Sequence, residues 1–586
     1  MENTEINKLI WIYGLKNAVE FNGKANSKAI MGKLMMERPE LRSKAKIYSN
    51  VIDKIIMEIN EIGIEEQRKR LLELDPSAFD KEKKQEELKE LPQLPKLNQY
   101  EEIIMRLAPY PSGALHIGNA RMVILNHEYI KRHNGKLILF FDDTIGSPKS
   151  LRDSPKAKYV LPEAYNLIED GLKWLGVNYN EVYYKSDRLE IYYEYCEKLI
   201  KDNMAYVCFC EADIFRNKYK NLKKDCPHRN QSIEHNLHEW ENMLNGKYHE
   251  TEVVIRLKTG MDQKDPALRD QIIMRISEAI HPRVSNKYRV WPMLEFSWAI
   301  DDHLIGISHI LRGMDLIKED FIEDYIWEHF KWNKAQFLHY GRINFPNLKL
   351  SKTESRNNII KGIYEGWEDP RTWSLQSLKM RGIKPEALKE TLLDLGMSTT
   401  GINFDESWLY SKNKDLIDKI SDRYFYVENP IRVEISDVPF SEYKAEPLLL
   451  PSDPTKGRRT IKVKAKNGVL IIFIAKSDTV KLKSNRVLRL KDLANIKIKT
   501  INLKQRIIHA QFHSFKLNRA YSIIQWVPEE NKIEVSILKP DGSFSEGYGE
   551  NNLTNVPLKK PIQFERYGFV NPIRWNNNKL ECYFTH

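Results

Sequence analysis

The feature that most restricts the fold is a strand that runs into two prolines and emerges as a helix. Glu102-Ile-Ile-Met-Arg-Leu-Ala reads as a buried strand. Pro109 and Pro111 remove two backbone donors and stop it, and helical periodicity takes over from about Leu115 to His133. Lys136-Leu-Ile-Leu-Phe-Phe is a second strand and Pro162 to Leu175 a second helix. Strands alternating with helices predict a parallel, doubly wound sheet. At roughly 150 residues per domain, 586 residues point to several domains, so the fold class is multidomain α/β. With 41% hydrophobic and 10% aromatic residues, the chain can build several cores, which excludes wholesale disorder, collagen-like and coiled-coil readings.

Around this alternation the pattern changes four times. The first 97 residues carry Lys, Glu, Leu and Ile at helical spacing and include the charged run KEKKQEELKE at 81–90. They predict a small helical module, followed by the proline-containing linker LPQLPKLNQY at 91–100. Residues 206–290 interrupt the α/β rhythm with cysteines, charges and short strands such as Glu252-Val-Val-Ile-Arg-Leu-Lys, as an insertion does. The alternation resumes over 291–345, and 346–429 is mostly helical. From Pro430 onward, short Val/Ile/Tyr-rich runs separated by turns such as Lys539-Pro-Asp-Gly predict β-barrels.

The charge is uneven. Residues 431–586 hold 27 Lys and Arg against 15 Asp and Glu, whereas the other 430 residues are close to neutral. Arg458, Arg459, Lys462, Lys464 and Lys466 alternate with apolar residues, and Lys481, Lys483, Arg486, Arg489 and Lys491 follow. Period-two spacing places such cations on one sheet face, where they suit a polyanion. The start MENTEINKLIWIYG carries acids where a secretory leader needs basic residues, and no apolar run approaches a membrane span. A cytoplasmic location is expected, with no membrane and no DNA partner. Five cysteines are too few for a disulfide framework. Cys208-x-Cys210 and Cys226-x-His228 sit 15 residues apart, a set that suits either a tetrahedral zinc ion or reduced buried thiols.

Two short segments carry phosphate chemistry. In Ala108-Pro-Tyr-Pro-Ser-Gly113-Ala-Leu-His116-Ile-Gly118-Asn119, the glycines permit close backbone approach, and a helix starting there offers free N–H groups to phosphate. His116 and Asn119, three apart, can both donate to charge that develops in a transition state. Far downstream, Leu348-Lys-Leu350-Ser351-Lys352-Thr353 places a lysine between two hydroxyl residues.

Together these segments resemble the HIGH and KMSKS signatures of class I aminoacyl-tRNA synthetases. Further segments are similar to glutamyl-tRNA synthetases of the archaeal type. They include Phe141-Asp142-Asp143-Thr144, Trp174-Leu-Gly, Tyr183-Tyr-Lys-Ser-Asp187-Arg188, Asp301-Asp302-His303, His309-Ile-Leu-Arg312-Gly313, Trp367-Glu-Asp369-Pro370-Arg371 and Ile562-Gln-Phe-Glu-Arg-Tyr-Gly-Phe-Val. The resemblance spans nearly the whole chain in order.

It implies that Ala108, Gly113, His116, Gly118, Asn119, Leu350, Ser351 and Lys352 hold ATP with Mg²⁺. His116, Asn119, Ser351 and Lys352 would stabilise the pentavalent phosphorus as a carboxylate attacks it. Arg106 matches an arginine that meets the substrate's carboxylate, Asp142 the acid that holds its amino group, and Arg312 a second arginine facing the amino acid. Departures fall in the same pocket: Tyr110 stands where a small polar residue is usual, Phe140 where an arginine is usual, and Leu294 in place of a tyrosine. The cysteine and histidine set occupies a place where some family members bind zinc.

The resemblance thus implies six segments. These are an N-terminal helical module with linker (1–97), a Rossmann-like catalytic domain in two halves (98–205 and 291–345), an acceptor-stem insertion (206–290), a helical connector with the KMSKS-type loop (346–429), and anticodon-binding β-barrels (430–586). The implied reaction is ATP-dependent ligation of L-glutamate to tRNA(Glu) through glutamyl-adenylate. Charging of tRNA(Gln) stays open, since archaeal-type enzymes can serve both. The rival is a diverged paralogue that binds tRNA or an effector without glutamate charging, or with altered amino-acid specificity.

Overall fold

In a computed structural model the protein is described at residues 2–20, 23–38, 41, 45–75, 91–144, 159–348 and 350–586. The charged run at 81–90 and Lys349 lie outside the described residues. The chain forms two compact units, Met1–Lys89 and Glu90–His586.

The first unit holds α1 (Glu2–Glu20), α2 (Ser27–Glu37), α3 (Ala45–Glu61) and α4 (Ile64–Leu74). Asn26 caps α2, its Oδ1 accepting from the amide of Lys28 at 2.9 Å. Ile6, Ile10, Leu34, Ile52 and Ile59 form the core. One polar side chain is fully buried among them: Gln67, whose Nε2 serves the carbonyls of Ile59, Ile62 and Gly23 and so ties α4 to two chain turns.

In the second unit β1 (Ile104–Leu107), α5 (Ile117–His133), β2 (Lys136–Phe141), α6 (Pro162–Trp174) and β3 (Glu181–Tyr184) follow one another. The three strands pair in parallel in the order β1-β2-β3. Alternation along β2 explains the double winding. Leu137, Leu139 and Phe141 enter the core shared with α5 and α6, while Ile138 and Phe140 enter the opposite one. That second core also receives α7 (Leu189–Lys201), α9 (Leu294–Ile305) and α10 (Ile317–Phe330). β8 (His309–Gly313) and β9 (Gln336–Tyr340) form a further parallel pair. It joins β1 at Ser308, whose amide donates to the Ile104 carbonyl at 2.9 Å.

The insertion is an antiparallel meander of β4 (Ala205–Cys208), β5 (Val254–Leu257), β6 (Ile272–Ile276) and β7 (Val290–Pro292), with α8 (Ile233–Leu244) between β4 and β5. After it come β10 (Ile343–Asn344), α11 (Lys352–Ile360), α12 (Leu375–Met380), α13 (Pro385–Asp394), β11 (Ile402–Asn403) and α14 (Glu406–Ile417).

The remainder is two barrel-like sheets, one built from strands within 431–528 and one from strands within 533–584. The second also recruits β12 (Arg423–Tyr424) and β13 (Tyr426–Glu428), two strands that precede the first sheet in sequence. Along Ile461–Lys466 the apolar Ile461 and Val463 are buried, and Lys462, Lys464 and Lys466 project outward.

Candidate active site

The HIGH-type segment forms the turn between β1 and α5. Gly113 has φ +140°, and a Cβ there would come within 2.4 Å of the Trp367 indole. Only glycine fits that close approach. Ala108 is half-buried against the second core. His116 is the N-cap of α5: its Nδ1 accepts from the Gly118 amide at 3.1 Å, while Asn119 Oδ1 accepts from the His116 amide at 3.3 Å. With Nδ1 accepting, the imidazole proton rides on Nε2, and the Asn119 amide nitrogen is left as a second donor. Burial first, and then the positive charge of Lys352, push the His116 imidazole down to about 3. It is neutral at physiological pH and acts as a hydrogen-bond donor rather than a cation.

Lys352 is felt electrostatically at His116 although 236 positions separate them in the chain, so the fold brings the two signature segments near one another. Ser351 caps α11, its Oγ accepting from the Glu354 amide at 3.2 Å. Leu350 packs against the first core and anchors the loop. Two capped helix starts, α5 and α11, thus contribute to one site, an arrangement that favours polyphosphate.

The residues expected to meet the amino acid are set in a different environment. Arg106, the next-to-last residue of β1, gives Nε and Nη2 to the two oxygens of Asp302 at 2.5 and 2.7 Å, and its guanidinium lies 3.5 Å from the Trp298 ring centroid. Arg312 in β8 faces two acids of α10, Asp320 at 2.6 Å and Glu323 at 2.8 Å. Asp142, just past β2, faces the Lys185 Nζ at 3.3 Å. Its neighbour Asp143 points elsewhere and accepts from the Ser186 amide, the Ser186 hydroxyl and the Tyr165 hydroxyl at 2.7–2.9 Å. The Tyr110 hydroxyl is buried with no hydrogen-bond partner among the described residues, and burial together with Asp142 raises its phenol. Leu294 opens α9, half-buried against the second core. Phe140 is wholly buried, edge-on to Trp298 at 5.0 Å. Reading the sequence did not single out Lys185, Trp298 or Asp302. Lys185 and Asp302 lay inside quoted family segments, yet nothing local marks their partners.

A separate cluster lies in the insertion. The sulfurs of Cys208, Cys210 and Cys226 and a ring nitrogen of His228 all lie within 4.8 Å of one another. Cys210 Sγ is 3.4 Å from His228 Nδ1. Ligand atoms around tetrahedral zinc are about 3.3–3.8 Å apart, so this donor set fits the ion.

A doubly wound sheet interrupted by an antiparallel insertion, and followed by two barrel-like sheets, is the architecture of a class I aminoacyl-tRNA synthetase. Comparisons narrow the class. A family model described as tRNA synthetases class I (E and Q), catalytic domain, matches residues 102–418. Two models of anticodon-binding domains of the same class match 421–514 and 523–572. The glutamate–tRNA ligase of Pyrococcus furiosus is 40% identical over 99% of this chain and 100% of its own. That of Methanocaldococcus jannaschii is 39% identical over 98% of each. The chain belongs to the E and Q family of class I tRNA synthetases. No helix among the described residues is long and apolar enough to cross a membrane.

Proposed function

We propose that this protein ligates L-glutamate to tRNA(Glu) in two steps at one site. The observation that carries the reading is the match, over essentially the whole chain, to relatives named glutamate–tRNA ligase. Class I synthetases use ATP with Mg²⁺, and the capped starts of α5 and α11 would receive the phosphates. As a carboxylate oxygen of the amino acid attacks the α-phosphorus, His116 Nε2–H and the Asn119 amide donate to the phosphate oxygens. Lys352 offsets the charge that builds there, and pyrophosphate leaves. Ser351 keeps its capping bond and so fixes the lysine at the helix start. A ribose hydroxyl of the tRNA's terminal adenosine then attacks the activated carbonyl, and AMP leaves. Lys462, Lys464 and Lys466 support placing the tRNA phosphates along the barrels.

The test is aminoacylation of tRNA(Glu) and tRNA(Gln) transcripts, with ATP and each common amino acid in turn. Glutamate on tRNA(Glu) is expected, and glutamate on tRNA(Gln) would extend the reading to both acceptors. Another amino acid attached in place of glutamate would overturn it.

We further assign a structural zinc ion to Cys208, Cys210, Cys226 and His228, where it would give a loop-rich segment a fixed centre. Elemental analysis should give about one zinc per chain, lost in Cys226→Ser. Metal-free protein with an unchanged melting temperature and full activity would leave the four residues as packing.

A further inference from the structure

The amino-acid end contains a fully buried lysine whose three protons are all accounted for. Lys185 has no exposed side-chain surface. Its Nζ donates to Ser297 Oγ at 2.6 Å, lies 3.3 Å from Asp142 Oδ1, and sits 3.7 Å from the centroid of the Trp298 ring. An ammonium has three donors, and here a hydroxyl, a carboxylate and an indole face take one each. A lone buried lysine is costly, so a fold retains one only where its partners hold it.

These partners stand on different walls of the pocket. Asp142 ends the β2 side. Ser297 is in the first turn of α9, and its hydroxyl lies 3.0 Å from the carbonyl of Leu294 and 3.1 Å from that of Met293, donating onward. The ammonium therefore links the acid assigned to the substrate's amino group with the residue where the family tyrosine is replaced. Asp142 Oδ1 is engaged by Lys185 and by the Thr144 hydroxyl at 3.4 Å. Oδ2 is left without a donor among the described residues, as an oxygen meant for an incoming ammonium would be. The neighbouring strand supplies the second observation. Phe140, where the resembling family has an arginine, packs edge-on against the same Trp298 that Lys185 covers. A cation at 140 and the ammonium at 185 would address one indole, from β2 and from the residue just after β3.

We propose that Lys185 is the positioning residue of the amino-acid pocket, holding Asp142 and the start of α9 in register so that Asp142 Oδ2 receives the substrate's α-ammonium. It does not touch the substrate; it acts through Asp142 and Ser297. The inference rests on the synthetase reading of the site, though not on the identity of the amino acid.

The experiment compares the full-length wild type, Lys185→Met, Lys185→Gln and the double variant Phe140→Arg/Lys185→Met in tRNA charging, with whichever amino acid the wild type attaches. Both single variants should raise the amino-acid KM by ~10-fold or more while the ATP KM changes less than ~2-fold. The double variant should recover most of the loss, because the cation returns to the same indole from the adjacent strand. If Lys185→Met fails to fold, Lys185→Gln carries the test, since glutamine still donates to Ser297 without the charge. An unchanged amino-acid KM, ATP and amino-acid KM rising together, or no recovery in the double variant would overturn the assignment. Wild type that charges an amino acid other than glutamate, with the same Lys185 pattern, overturns the glutamate reading and keeps this one. Wild type that charges nothing overturns both.

Discussion

In the turn that opens α5 two neutral side chains each keep a donor, whereas around Asp142 each cation already faces an acid. His116 Nδ1 accepts from the Gly118 amide and Asn119 Oδ1 from the His116 amide, which leaves Nε2–H and the Asn119 side-chain amide as donors. Arg106 spends two N–H groups on Asp302, Arg312 faces Glu323 and Asp320, and Lys185 faces Asp142. The physical reason is the ligand. Neutral donors such as His116 and Asn119 can meet an incoming polyphosphate without a counter-charge of their own. An amino acid is a zwitterion, and a buried pocket for it needs its own charges balanced before the ligand comes.

The largest effect should come from breaking that balance. Asp302→Asn leaves the Arg106 guanidinium buried without its counter-charge, and the catalytic unit should lose about 3–5 kcal/mol of stability. The melting temperature measures this, and an unchanged value would mean that Arg106 is free to serve the substrate. Next, Lys352→Ala should slow adenylate formation by ~10²-fold, about 2.7 kcal/mol, with the amino-acid KM nearly unchanged. Pyrophosphate exchange in the presence of tRNA reads it, and a loss confined to the amino-acid KM would erase the distinction between the two ends.

A smaller effect concerns pH. The native His116 imidazole titrates near 3, but in the unfolded chain it takes a proton near 6.5. As pH falls below 6.5 the unfolded state binds a proton the native state refuses, so stability declines until about pH 3. Between pH 7 and pH 5 the loss should be about 2 kcal/mol, and His116→Asn should lack that part of it. Adenylation should also show no inflection near pH 6.5 from this residue. The smallest effect is expected from Leu294→Tyr, which adds a hydroxyl at the start of α9 and should lower the glutamate KM by about two- to threefold.

The sequence was most legible where chemistry is local. The proline-broken strand, the capped start of α5 and the Cys/His spacing are each read from a few adjacent residues, and each has its place in the structure. Pairings across the chain were not legible. Arg106 meets an acid 196 positions away, and no local pattern tells an arginine aimed at substrate from one aimed at a distant aspartate. Lys185 looked like any lysine beside a serine, because its burial is decided by Trp298 and Ser297 on another helix. β12 and β13 were hidden for a different reason. At two and three residues they are too short for a period-two pattern, and they read as the tail of the helical connector.

Those two short strands have a consequence for the order in which the molecule can be assembled. β12 pairs with the strand Ile562–Phe564 and β13 with the strand Phe544–Gly549, so in sequence the first barrel is inserted within the second. On a ribosome adding 5–20 residues per second, β13 is exposed for roughly five to twenty-five seconds before its partner is translated. Meanwhile the first barrel can complete its own ladder, because its strands all fall within 431–528. The second barrel can close only afterwards. Arg381, at the end of α12, waits even longer, for the carbonyls of Phe584 and Thr585. A nascent chain halted anywhere between 430 and 540 therefore presents an open strand edge beside a folded catalytic domain, a species suited to chaperone capture and prone to edge-to-edge association.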